Sequence, residues 1–78
     1  MTNLEKYNQA FITSFMVNPE ELPELTYQAT SSWDSVGHMS LMASLEETFG
    51  ISLDTDDIID FSSYEKGKEI IKKYHVLL

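Results

Sequence analysis

Asp34-Ser35-Val36-Gly37-His38-Met39-Ser40-Leu41-Met42-Ala43-Ser44-Leu45-Glu46-Glu47-Thr48-Phe49-Gly50 carries both ends of a helix in its own residues. Asp34 has the short acceptor side chain that caps free amides at a helix start, and Gly50 supplies the left-handed residue that ends one. Between them Met39, Met42, Leu45 and Phe49 recur at helical intervals, a stripe expected to face a core. Val36, Ser40, Ala43 and Glu47 fall opposite or beside it. Small apolar residues among polar ones suit either a solvated face or a docked partner.

Upstream, Thr2 and Glu5 have capping-box spacing and Leu4, Tyr7, Phe11 and Phe15 follow at helical intervals, which predicts a first helix over about residues 3 to 16. Asn18-Pro19 ends it, and Pro23 with Thr30-Ser31-Ser32 marks a long connection reaching Asp34. A connection of that length in a small domain points to function or to an unrecognised helical turn. Trp33, at its end, is expected to pack the loop onto the core, and contact with a ligand is its alternative role.

Downstream, Ile51 and Leu53 read as two apolar anchors in an extended loop. Asp54 and Thr55 can start a short helix containing Ile58, Ile59 and Phe61, with acids in its first turn where the dipole favours them. Ser62 and Glu65 repeat the capping-box spacing before a last helix with Tyr64, Ile70, Ile71 and Tyr74 on one face. Gly67 is its weak point. The expected fold is therefore all-α, a small bundle of three longer helices and one short one in a single domain over residues 1–78, with Phe49, Leu53 and Phe61 buried where its second half meets.

Composition narrows the function. The chain has 78 residues, enough for one core, and no cysteine, which excludes disulfides, thiolate zinc sites and a cysteine nucleophile. Thirteen acids against five bases give a net charge of -8, which repels nucleic acid and anionic lipid and attracts basic protein surfaces. No leader-like segment or long apolar run is present, so a cytoplasmic protein without a membrane span is expected. A calcium loop starting at Asp54 would place Asp56 and Glu65 correctly, but Ile58 and Ile59 stand where an oxygen ligand and a glycine are needed. No metal is expected. His38 and His75 have no partner at catalytic spacing and read as surface histidines.

Ser35 opens the best-marked helix. A serine there is ordinarily a cap or a surface residue. A phosphodiester on its hydroxyl would, however, meet free backbone amides and the positive end of the helix dipole, with the Asp34 carboxylate opposing in part.

From these residues the chain resembles the acyl carrier protein family, whose signature is Asp-Ser-Leu opening a helix that closes in Leu-Glu-Glu-x-Phe. Asp34-Ser35-Val36 and Leu45-Glu46-Glu47-Thr48-Phe49 keep that spacing without a gap, and Gly50-Ile51-Ser52-Leu53 and Asp54-Thr55-Asp56-Asp57 continue it. The likeness is close over about residues 33 to 61. It implies a non-enzymatic carrier, with 4'-phosphopantetheine attached at Ser35 by a phosphopantetheinyl transferase from coenzyme A. The arm would supply the thiol that the chain lacks, and hold an acyl or aminoacyl group as a thioester for partner enzymes with basic patches. Asp34 would serve as motif residue and helix cap. Val36, Ala43, Glu46, Glu47 and Asp57 match the exposed positions through which family members meet partners.

Val36 departs from the usual Leu, and Gly37 and Ser40 stand where many fatty-acid carriers have acids, so a specialised biosynthetic carrier fits better than a housekeeping one. A monomer is expected of a protein that must visit several enzymes. Met39 and Met42 could loosen the core enough to admit an acyl chain. The alternative from another class is an unmodified acidic helical module for protein interaction.

Overall fold

The computed structural model describes all 78 residues. Four α-helices follow in order: α1 Asn3–Phe15, α2 Ser35–Phe49, α3 Thr55–Asp60 and α4 Tyr64–Lys72, with a 3-10 helix Pro19–Glu24 between the first two. The chain is all-α. Its one β-type contact is an isolated antiparallel bridge between Thr26 and Ser63. No helix is long and apolar enough to cross a membrane.

α1 starts as its sequence dictates. The Glu5 amide donates to Thr2 Oγ1 at 3.1 Å and the Thr2 amide donates to Glu5 Oε1 at 2.8 Å, so two otherwise orphaned donors are satisfied reciprocally. The helix ends at Met16, held in the left-handed region at φ 54°. The long connection that follows is partly helical. Asn18 donates its amide to Glu21 Oε2 at 2.8 Å, and the turn buries Leu22. Pro19 and Pro23 remove amide donors, so this segment winds as a short 3-10 turn in place of an α-helix.

The core is an aromatic cluster. Tyr7, Phe11 and Phe15 of α1 meet Trp33, Phe61 and Tyr64, and all six are buried. Trp33 stacks on Phe15 at 5.0 Å and meets Phe11 edge-on at 5.6 Å, which fixes the end of the connection against the core as expected. The Tyr7 hydroxyl donates to the Tyr64 carbonyl at 2.8 Å, joining α1 to α4, and burial pushes the phenol far above its ordinary value. That side chain is a fixed neutral donor.

Three expectations shift in register. The buried residues of α2 are Leu41, Met42 and Leu45, whereas Met39 is 54% exposed and Phe49 only half-buried. Leu4 is likewise at the surface. The α4 cap is Ser63 and not Ser62: the helix begins at Tyr64, and Ser63 Oγ accepts from the Lys66 amide at 3.0 Å. Leu53 and Phe61 are buried as the sequence suggested.

Two glycines explain local packing. A Cβ on Gly67 would lie 2.2 Å from Phe61 Cζ and 2.3 Å from Tyr7 Oη, so at this turn α4 can lie this close to Phe61 and Tyr7 only because the residue has no side chain. A Cβ on Gly37 would lie 1.9 Å from the Ser32 carbonyl oxygen. Gly37 thus lets the connection close over the first turn of α2.

Candidate functional site

Ser35 is the first residue of α2 and is exposed. Asp34 Oδ1 accepts the Gly37 amide at 2.8 Å, and the Asp34 carbonyl accepts the His38 amide at 2.7 Å. The amides of Ser35 and Val36 donate to no protein acceptor, which leaves the positive end of α2 open beside the Ser35 hydroxyl. The Asp34 carboxylate is tied into the cap.

Two further segments reach Ser35. The amide of Tyr27 donates to the Ser62 carbonyl and that of Tyr64 to the Leu25 carbonyl, both at 2.9 Å, which pins the connection to the chain between α3 and α4. This brings the Tyr27 hydroxyl to 3.3 Å from Ser35 Oγ, where the two share a hydrogen bond. Sequence patterning could not place Tyr27 here, because the pairing that does so is a backbone contact between segments far apart in the chain.

Next to Ser35 a groove of about 370 Å³ runs between α2 and α3, lined by Tyr27, Ser35, His38, Met39, Ile58 and Ile59, with Phe61 and Ser62 at its end. Its floor is mainly apolar. Met39 is exposed because it lines this groove and does not enter the core. A larger cleft of about 460 Å³ lies between Leu4, Leu78 and the polar side of α4, but Ser35 takes no part in it.

His38 is not a free surface histidine. Trp33 Nε1–H donates to its Nδ1 at 3.0 Å, and an indole nitrogen can only donate, so Nδ1 is the unprotonated nitrogen. Nε2 then carries the proton and donates to the Ile58 carbonyl at 2.8 Å. The ring is part-buried between α2 and α3. A histidine one turn beyond Ser35 was visible in the sequence; its two partners were not.

The residues expected to face partners divide. Val36, Ala43 and Glu47 are exposed on α2. Asp57 is a correction: it is 6% exposed, and its carboxylate accepts from Lys73 and from the Tyr74 hydroxyl. The hydrogen bond from Lys73, and then that from Tyr74, holds this carboxyl below the usual carboxylate range. Asp57 fastens α3 to the end of α4. Glu46 is a partial correction: it is half-buried, and its Oε2 accepts the Leu53 amide at 2.7 Å, which anchors the loop after α2. Its acid serves the fold first. Comparison with protein-family models, curated proteins and solved structures finds no match to this chain.

Proposed function

We propose that this chain is a discrete acyl carrier protein in which Ser35 bears 4'-phosphopantetheine. The observation that supports this most is the setting of one hydroxyl: Ser35 is exposed at the open amide end of α2, at the mouth of a groove with an apolar floor. The two chemistries suit the two halves of such an arm.

The residues present fit the group. The free Ser35 and Val36 amides favour a phosphodiester, and the Tyr27 hydroxyl stands within reach to donate to it. Met39, Ile58 and Ile59 offer apolar contact to whatever follows the phosphate. Bound there, the arm supplies a terminal thiol that holds an acyl or aminoacyl group as a thioester.

The chain's own part is then to hold and present. Bond making belongs to a phosphopantetheinyl transferase and to loading and transferring enzymes, for which Val36, Ala43 and Glu47 form an exposed face on α2 close to Ser35. The net charge of -8 favours partners with basic patches and speeds their encounter. Incubation with coenzyme A and a broad-specificity transferase, followed by intact mass, tests the proposal: the wild type should gain one arm and Ser35→Ala none.

A further inference from the structure

α3 has only six residues, and its last carbonyls have no helical partner. One of them, that of Ile58, takes its donor from α2: His38 Nε2–H at 2.8 Å. It is the single side-chain hydrogen bond between the two helices that wall the groove beside Ser35. On its other side α3 is fastened by Asp57 to Lys73 and Tyr74. On the groove side this imidazole is therefore the one polar attachment, beside the apolar packing of Ile58 and Phe61 on the core.

We infer that His38 is a positioning residue whose neutral ring latches α3 onto α2, and that its protonation releases α3 and widens the groove. The donor pattern sets the direction. Trp33 is fully buried and clamped by Phe15 and Phe11, so its N–H cannot turn away from Nδ1. An imidazolium would set N–H against N–H at a separation of 3.0 Å.

The surroundings offer the cation little. Indole and imidazole are nearly coplanar, at 14° with centroids 6.3 Å apart, so the cation would face the electropositive ring edge and not the π-face. Tyr27 and Phe61 stand T-shaped to the imidazole, with centroids at 5.5 and 6.2 Å. From α2 itself the nearest acid in sequence, Asp34, is engaged by the Gly37 amide; from α3, Asp57 is engaged by Lys73 and Tyr74. Neither of the protein's two ion pairs includes His38. The latch holds while the ring is neutral and weakens when the ring is protonated.

The latch stands on the unmodified chain; only its consequence, altered room for an arm on Ser35, rests on the carrier proposal. The test therefore uses unmodified, 15N-labelled full-length protein, titrated by NMR and by emission of Trp33, the only tryptophan. At high pH the His38 ring should show the Nε2–H tautomer. On acidification the amides of Ile58 to Phe61 should shift with the same midpoint as the His38 ring, and Trp33 emission should fall with them. His38→Gln, which keeps one acceptor and one donor but does not titrate, should abolish both transitions, and His75→Gln should leave them unchanged. An Nδ1–H tautomer, α3 amides that stay fixed while His38 titrates, or a transition that survives in His38→Gln would overturn the latch. If His38→Gln does not fold, the wild-type tautomer and the shared midpoint still decide. Failure of Ser35 to accept an arm would leave these outcomes untouched.

Discussion

Gly67→Ala sets helix propensity against packing, and the two effects have opposite signs. Propensity alone favours the alanine by about 1 kcal/mol within a helix. The new methyl, however, would lie 2.2 and 2.5 Å from Phe61 carbons and 2.3 Å from the Tyr7 hydroxyl. Neither ring can yield toward solvent, since Phe61 is 1% and Tyr7 0% exposed. Overpacking a closed core costs about 1–3 kcal/mol. Moving Tyr7 also threatens its buried bond to the Tyr64 carbonyl, and an unpaired buried donor costs about 1–3 kcal/mol more. After subtracting the propensity gain, the expected loss is about 1–5 kcal/mol. For a domain of this size that lowers the melting temperature by roughly 4–40 °C. Urea and thermal unfolding followed by circular dichroism would measure it. A Gly67→Ala protein as stable as the wild type, or more so, would refute the packing of α4 on the aromatic cluster.

Phe61→Ala should cost about 3–5 kcal/mol in urea unfolding, and Phe49→Ala clearly less, because Phe49 is only half-buried; the reverse order would overturn the core. Asp57 has a folded pKa below its unfolded value, so its contribution to stability is present above the unfolded carboxyl range and lost as pH falls through it toward the folded value. Stability curves of wild type and Asp57→Asn should accordingly differ most above about pH 4 and converge in acid, and parallel curves would contradict the buried contact with Lys73. Glu47→Lys should slow transfer of the arm without altering melting, whereas Glu46→Lys should lower the melting temperature as well, having lost the bond from the Leu53 amide; equal melting of the two would remove that distinction. Tyr27→Phe should slow modification of Ser35 by about 2- to 10-fold, the range of one ordinary hydrogen bond, and an unchanged rate would dismiss Tyr27 from the site.

The helices were readable where their signals are local. The reciprocal Thr2–Glu5 bonds, the Asp34 cap and the left-handed Gly50 each lie within a few residues of what they control, and each forms as the sequence implies. The Pro19–Glu24 turn was not readable because it buries a single residue, Leu22, too few for a period to emerge. The groove was illegible for a related reason. Met39 has the spacing of a core residue, yet the core stripe of α2 is rotated toward Leu41, and only the position of α3 shows what Met39 faces.

Long-range partners account for the rest. Asp57 sits among acids that suit a solvated helix start, and nothing near it announces Lys73 and Tyr74, sixteen and seventeen residues away. Once they are in place, an apparent docking acid becomes a clamp between α3 and the end of α4. His38 changes role in the same manner, through Trp33 on one nitrogen and Ile58 on the other. The exposed acids that remain for a partner on α2 reduce to Glu47 beside Val36 and Ala43.

The carrier proposal is tested most directly by locating the arm. The folded wild type, treated with coenzyme A and a transferase, should gain the mass of one phosphopantetheine, and tandem fragmentation should place it on Ser35. Ser35→Ala should gain nothing while keeping its helical spectrum and melting close to those of the wild type, since loss of an exposed hydroxyl at a helix start changes stability by less than about 1 kcal/mol. That pairing separates a missing acceptor from an unfolded chain. A folded wild type left unmodified by several transferases, or a Ser35→Ala protein that still acquires the arm, would contradict the proposal and favour an unmodified interaction module.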